Sequence, residues 1–280
     1  MKFIVVIGAY NAEKFIGQCI ASVRRQSCPD WKCVVIDDLS TDKTLDAARA
    51  AADQDSRIML IRNELRKFLL ANTAAAIELA SPDPEDVVVW LDGDDALMGT
   101  KVFERLRQAY NAGAWMTYGS YAGSDDVRGV ECKPYSSWVV KGSFYRWSEW
   151  RASHLKTFKV WLWRKIKPGD LTISREQHLE FLRHLRVSFR WLSYFKLRGV
   201  AFGDLVDPSG DFFRRCTDKA VMLPMLEMAR ERARFIPAIL YAYNNQPSGE
   251  PKKAKKLINR FVRYYLRTCQ RYGRVSGSGS

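Results

Sequence analysis

Two groups of carboxylates stand out for their chemistry: Asp37, Asp38 and Asp42 in one, Asp92, Asp94 and Asp95 in the other. Each closes a short apolar run, Cys33 to Ile36 and Val87 to Leu91, with the composition of a buried strand. In open α/β sheets, ligands gather beyond the carboxyl ends of the strands. Carboxylates crowded there repel one another, and a divalent cation with oxygen ligands is the simplest partner that relieves the repulsion. The spacing therefore points to a site for a cation and a nucleotide.

The elements that must position these acids alternate along the first 120 residues. Phe3 to Ile7 reads as a strand, and Glu13 to Gln26 as a helix with Phe15, Ile16, Cys19, Ile20 and Val23 on one face. Strands follow at Cys33 to Asp37, Arg57 to Ile61, Val87 to Leu91 and Trp115 to Tyr118. Between them lie helices at Asp42 to Ala52, capped by Ser40 or Thr41, at Leu69 to Ala80 and at Lys101 to Ala112. Such alternation implies right-handed crossovers and an α/β fold with a largely parallel sheet.

With 280 residues, 47% of them apolar, the chain can bury one large core. No apolar run approaches the roughly 20 residues of a membrane-spanning helix. Met1 to Val6 passes from one lysine straight into a strand, which is not the pattern of a secretory signal. Six cysteines without CxxC pairing predict reduced thiols and a cytoplasmic protein. Ser276 to Ser280 has the composition of a flexible tail.

The net charge of +14 is unevenly spread. Lys141 to Val200 carries 14 basic residues against 4 acids, and Lys252 to Arg274 carries 9 basic residues and no acid, which leaves the remainder at −5. A mildly acidic body thus bears two basic additions whose partner is anionic: a membrane surface, nucleic acid or a phosphorylated acceptor.

Three segments resemble signatures of the family 2 glycosyltransferases: Val5 to Glu13, Val35 to Asp42, and Leu91-Asp92-Gly93-Asp94-Asp95. The likeness covers residues 3 to 120, then returns at Thr217 to Glu227 and at Phe235 to Asn244. It implies a GT-A (Rossmann-like), mostly parallel central sheet flanked by helices, with basic helical additions in the C-terminal half. The implied organisation is a nucleotide-sugar-binding half over 1–120, an acceptor-binding half with a Trp-rich insertion over 121–250, a basic amphipathic helix over 251–275 and a tail at 276–280.

The resemblance further implies that Ala9 and Tyr10 line the nucleotide base and that Asp38 accepts a hydrogen bond from it. Asp92 then faces the ribose or the metal, and Asp94 binds Mn²⁺ or Mg²⁺. A cation bridging a diphosphate to a carboxylate offsets the charge that grows as the glycosidic bond breaks. An inverting transferase also needs a base to take the acceptor proton. Asp218, beside a helix N-terminus whose dipole favours negative charge, is the expected base, with Asp211 as second choice. Leu39 stands where the family commonly has glycine.

Other residues carry a functional reading and a plainer one. His154 is read as a third metal ligand or diphosphate contact, or as a packed ring; His178 and His184 rank below it. Arg151 is read as a phosphate contact, and Lys67 as a nucleotide contact or a solvated loop lysine. Asp37 and Asp42 are read as structural, Asp95 as a turn cap or a metal contact.

The insertion from Trp147 to Phe202 holds Trp147, Trp150, Trp161, Trp163 and Trp191 among basic residues. Ser174 to Gln177 fits a capping box, and Leu182, Leu185, Phe189, Leu192 and Phe195 form one stripe of the helix that follows. Leu257, Ile258, Phe261, Val262, Tyr265 and Leu266 form a similar stripe near the C-terminus. Both are expected to lie on an anionic membrane, or else to pack on the body.

The sequence thus predicts a metal-dependent inverting glycosyltransferase that moves sugar from a nucleotide-diphosphate donor to a glycan or lipid-linked acceptor, peripheral on the inner face of a membrane. The alternatives are a basic nucleic-acid-binding protein and a silent nucleotide-sugar scaffold. No recognised nucleic-acid motif is present, so no nucleic-acid partner is expected.

Overall fold

The computed structural model describes residues 1–123, 132–187, 191–245 and 252–277. The strands are β1 (Phe3–Ala9), β2 (Trp31–Asp37), β3 (Ile58–Arg62), β4 (Val87–Asp92), β5 (Ala96–Leu97), β6 (Met116–Gly123), β7 (Lys156–Lys159) and β8 (Ala233–Tyr243). The helices are α1 (Ile16–Arg24), α2 (Thr44–Ala52), α3 (Phe68–Ala80), α4 (Val102–Asn111), α5 (Ser137–Gly142), α6 (Val160–Arg164), α7 (Arg175–Val187), α8 (Trp191–Leu197), α9 (Thr217–Ala229) and α10 (Lys252–Thr268).

The strands form one sheet in the order β3-β2-β1-β4-β7-β6-β8-β5. Pairing is parallel from β3 to β4 and between β6 and β8, and antiparallel where β7 joins β4 and β6 and where β5 joins β8. The half of the sheet built from β1 to β4 is therefore parallel, as its alternating pattern requires, and the other half is mixed. One core lies under α1 and α4 and another under α3, α6, α9 and α10. Because β1 is buried on both faces, its residues read as a continuous apolar run.

Register positions the acids. Ala9 pairs with Asp37 on one side, and Gly8 pairs with Asp92 on the other. The two acidic groups thus flank the end of β1. Gly93 lets them approach, since a Cβ there would lie 2.9 Å from both the Ala9 Cβ and the Gly8 carbonyl oxygen. Leu39 adopts a left-handed φ of 61° and is 37% exposed, so the glycine-like conformation persists without glycine. Leu39→Gly is expected to raise unfolding free energy by about 1 kcal/mol, measured by urea denaturation, because it removes the clash of a left-handed Cβ while giving up little burial.

The two apolar stripes face inward, which corrects the expectation that they lie on a membrane. Phe261, Val262, Tyr265 and Leu266 of α10 are buried against the body, as are Phe181 and Leu185 of α7. Leu257, Ile258 and Leu182 are partly buried against the same core, and Phe195 alone among the described stripe residues is exposed. Phe189 and the side chain of Leu192 fall outside the described residues. Trp161 and Trp163 are core residues too. The capping box forms: the Ser174 hydroxyl accepts from the Gln177 amide at 3.1 Å, and the Gln177 side-chain oxygen accepts from the Ser174 amide at 2.8 Å. Among the described residues no helix is long and apolar enough to cross a membrane.

A buried ion pair fastens the C-terminal segment to α9. The Arg146 guanidinium meets both Glu227 carboxylate oxygens at 2.7 and 2.9 Å, and the two side chains are 2% and 0% exposed. Arg146 also donates to the Leu266 carbonyl, Arg267 Nε donates to the Arg146 carbonyl at 3.1 Å, and Glu227 accepts the Tyr272 amide at 3.0 Å. Removing one charge leaves the other buried and uncompensated. Glu227→Gln is therefore expected to lower stability by about 3 kcal/mol, read as a fall in the denaturant midpoint.

Candidate active site

The loop after β1 is laced to the loop after β2. Asn11, at a left-handed φ of 49°, accepts the Thr41 amide at 2.9 Å and donates its own amide to the Ser40 hydroxyl at 3.0 Å. The Ala12 amide donates to Thr44 at 2.7 Å, and Glu13 and Asp42 exchange bonds with each other's loops. Asp42 caps α2 through Thr44, and Asp37 accepts the Ser40 amide at 3.2 Å. Both acids therefore build backbone.

These bonds hold Tyr10 beside Asp38. The Asp38 Oδ1 accepts from the Asn63 side chain at 2.8 Å and the Lys67 amide at 2.7 Å, and its Oδ2 accepts the Phe68 amide at 2.9 Å with Arg66 at 3.7 Å. Phe68 sits at a left-handed φ of 66°, a conformation that costs a phenylalanine energy and that this carboxylate stabilises. The Arg66 guanidinium lies 3.5 Å from the Tyr10 ring centre and 4.8 Å from that of Phe68, and the Arg214 guanidinium lies 4.0 Å from the Phe68 ring centre. Together they border a cleft of about 210 Å³ that Gly8, Ala9, Asp38 and Arg215 also line.

Lys67 thus enters the site through its backbone amide, and its side chain borders a separate cavity with Asp211 and Trp163. The side chain expected there belongs to its neighbour, Arg66. Arg66, Phe68, Arg214 and Arg215 escaped the sequence reading. Their signals were an Arg-Lys-Phe run before α3 and an Arg pair directly ahead of Cys216-Thr217-Asp218.

Around the corner of β1 lie the remaining carboxylates. Burial pushes the Asp92 carboxyl up to about 6; Lys156 opposes that rise, and the charges of Asp94 and Asp218 add to it. Asp92, Asp94 and Asp218 therefore share one electrostatic neighbourhood, although Asp218 comes from the first turn of α9. Asp94 is exposed at the tip beyond β4, and partial loss of water raises its carboxyl. Asp95 is buried, accepts the Tyr241 hydroxyl at 2.5 Å and the Asn244 amide at 2.7 Å, and is pushed up to about 8 by burial and by Asp92. It ties the tip of β4 to β8 through both of its oxygens.

Two expected contacts are corrected. His154 stacks on Tyr241 with centroids 4.4 Å apart, with Tyr121 edge-on at 5.6 Å, and burial together with Lys156 holds its pKa well below the usual range. Its ring is aromatic packing, and among the described residues no three His, Cys, Asp or Glu side chains are grouped to hold a metal. Arg151 donates to the Pro134 carbonyl at 2.8 Å and pairs with Glu149 at 3.4 Å, so it staples a loop and does not line the cleft. Asp211, the second choice of base, is exposed on a turn where its backbone amide and that of Phe212 donate to the buried Asp207.

Asp92 and Asp94 nonetheless suit a cation. Mg²⁺-like ions commonly take one or two carboxylates, with substrate phosphates and water completing the shell. Two partly desolvated carboxylates with raised pKa values at one strand tip are such a donor set.

The raised carboxyls also fix a pH dependence. The unfolded chain loses the protons of Asp92 and Asp95 at about pH 4, whereas the folded protein keeps that of Asp92 to about pH 6 and that of Asp95 to about pH 8, so stability falls as pH rises through those windows. The metal-free protein is expected to melt higher at about pH 6 than at about pH 8, and Mn²⁺ to raise the melting point most at the higher pH. Differential scanning fluorimetry reads both.

Residues 4–167 match the family described as Glycosyl transferase family 2. EpsE of Bacillus subtilis is 37% identical over 95 residues, 34% of this chain and 33% of that protein. The UDP-Glc:alpha-D-GlcNAc-diphosphoundecaprenol beta-1,3-glucosyltransferase WfgD of Escherichia coli is 30% identical over 117 residues, 42% of this chain and 44% of that protein. The chain's matches thus span less than half the length of these curated relatives. The crystal structure of S. aureus TarS 1–349 in complex with UDP-GlcNAc superposes with a TM-score of 0.58 at 17% identity, covering 95% of this chain and 66% of that one. The shared fold is the GT-A arrangement. With signatures in order along β1, β2 and β4 and a family match over more than half its length, the chain belongs to glycosyl transferase family 2.

Proposed function

We propose that the chain is a metal-dependent, inverting glycosyltransferase that moves a sugar from a nucleoside-diphosphate donor to a hydroxyl of a glycan or lipid-linked acceptor. The observation that carries this reading is the register that sets the acidic ends of β2 and β4 on either side of β1, with Asp218 of α9 close enough to raise the Asp92 carboxyl. The nucleoside occupies the cleft between Tyr10, Arg66 and Phe68, with Asp38 holding the turn that shapes it. Asp92 and Asp94 hold Mn²⁺ or Mg²⁺, which when bound neutralises charge on the diphosphate leaving group. Asp218 takes the proton of the acceptor hydroxyl as its oxygen bonds to the anomeric carbon. The bond from that carbon to the diphosphate breaks on the opposite face, and nucleoside diphosphate leaves.

Uridine donors come first for testing, because relatives and fold neighbours are named for UDP-Glc and UDP-GlcNAc. Six free cysteines fit a reducing, cytoplasmic setting. The stripes of α7 and α10 are packed against the core and are not available to a membrane. The test is incubation with UDP-, GDP- and TDP-sugars with and without Mn²⁺ or Mg²⁺, measuring free nucleoside diphosphate. Release from at least one donor, lost on chelation, is expected; no release from any donor contradicts the proposal.

A further inference from the structure

The residue after Asp218 opens a positively charged groove. Lys219 holds its ammonium 4.8 Å from the ring centre of Trp150. With the exposed Arg263 and Arg267 of α10 it lines a concavity of about 30 Å³ whose other wall is the Tyr145 to Trp150 turn. Farther along, Arg271 lies 5.2 Å from the ring centre of Trp147, which is 53% exposed.

The groove has a direction. α9 and the second half of α10 run side by side, since the Cys216 thiol at the start of α9 meets the Asn259 carbonyl midway along α10 and Glu227 near the end of α9 accepts the Tyr272 amide beyond the end of α10. Arg263 and Arg267 stand one turn apart on α10, about 6 Å at the helical rise, and Arg271 continues the row three residues past the end of that helix, beside Lys165 and Lys167 at a neighbouring cavity. Burial pulls the Lys219 ammonium down, Asp218 opposes this, and the charges of Arg263 and Arg267 add to it, so these cations are close enough to repel. The acids nearby are engaged: Glu227 neutralises Arg146, and Glu149 pairs with Arg151. Like charges held together on rigid elements favour an anion between them.

We propose that the groove from Lys219 past Arg263 and Arg267 to Arg271 binds an anionic glycan acceptor, one bearing phosphate or carboxylate groups, and leads its terminal hydroxyl to Asp218. The proposal rests on the transferase reading above. A lipid surface suits the groove less well, because the surface is concave and the apolar residues of α10 that would insert are buried. A glycan satisfies both ends: anions for the arginines, and a hydroxyl for the base.

The full chain is titrated with dextran sulfate, unsulfated dextran of the same length, phosphatidylglycerol vesicles and a single-stranded oligonucleotide, using tryptophan fluorescence, and separately with UDP. Dextran sulfate is expected to bind at least about tenfold more tightly than dextran, vesicles or oligonucleotide, and to weaken with salt. The double variant Arg263→Gln, Arg271→Gln should lower that affinity about tenfold without changing UDP affinity, and Arg263→Lys, Arg271→Lys should restore it. Equal binding of both dextrans, stronger binding of vesicles or oligonucleotide, or an unchanged affinity in a folded Gln variant overturns the assignment. UDP binding intact with polyanion binding absent rejects the acceptor assignment alone. Absence of UDP binding in the wild-type chain rejects the transferase reading, and the acceptor assignment with it.

Discussion

Asp218→Asn is expected to reduce the turnover number for sugar transfer about a thousandfold while leaving nucleoside-diphosphate affinity nearly unchanged. Asp218 stands in the first turn of α9, half-buried, within the field of Asp92 but outside the residues that line the nucleotide cleft. The amide keeps its size and removes the ability to accept a proton. Its neighbours Thr217 and Ala220 are buried and fix the helix start, so the fold should hold. Single-turnover transfer and calorimetric titration with nucleoside diphosphate separate the two quantities. A parallel loss of nucleotide affinity would place Asp218 in donor binding and remove it from the base role.

The second large effect is expected at Asp94. Asp94→Ala should cost about a thousandfold in metal-dependent transfer, because a carboxylate that holds the cation also places it against the developing charge on the leaving group. The side chain is exposed, and the hydrogen bond that lowers its pKa is to its own amide, so the melting point should move little. Asp95 provides the contrast within the same loop. Asp95→Ala strips partners from Tyr241 and Asn244 and should act on stability. A variant of Asp94 with full activity across metal concentrations would remove it from the metal site.

The parallel half of the sheet was legible because its strands are buried on both faces and its helices carry one apolar side. β7 was not. Its four residues begin and end with lysine, and a lysine inside a central strand contradicts the apolar signature on which strand reading depends. Those lysines are buried because each finds a specific partner: Lys156 lies 5.5 Å from the Trp90 ring centre within the field of Asp92, and Lys159 pairs with Glu85 at 2.9 Å. Neither partner is adjacent in sequence.

The acids of the site were legible for a related reason. Asp38, Asp92 and Asp94 stand at strand ends, where register alone brings them to β1. Side chains delivered by loops were harder to place. Whether Arg66 or Lys67 faces the cleft depends on the left-handed turn at Phe68, which the sequence does not advertise. His154 reads either as a ligand or as a packed ring until Tyr121, Tyr241 and Tyr243 arrive from distant strands to enclose it. The stripe of α10 illustrates the same limit, since an apolar helical face has one pattern whether lipid or protein covers it.

The central claim is that Asp92 and Asp94 grip a nucleoside diphosphate through a divalent ion at the end of β4. Calorimetric titration of the wild-type chain and of Asp94→Ala with UDP, in Mn²⁺ and in chelator, tests it most directly. Wild-type protein should bind UDP at least about tenfold more tightly with Mn²⁺, and the variant should show little metal dependence. Equal wild-type affinity with and without Mn²⁺, or the same metal enhancement in the variant, would contradict the claim.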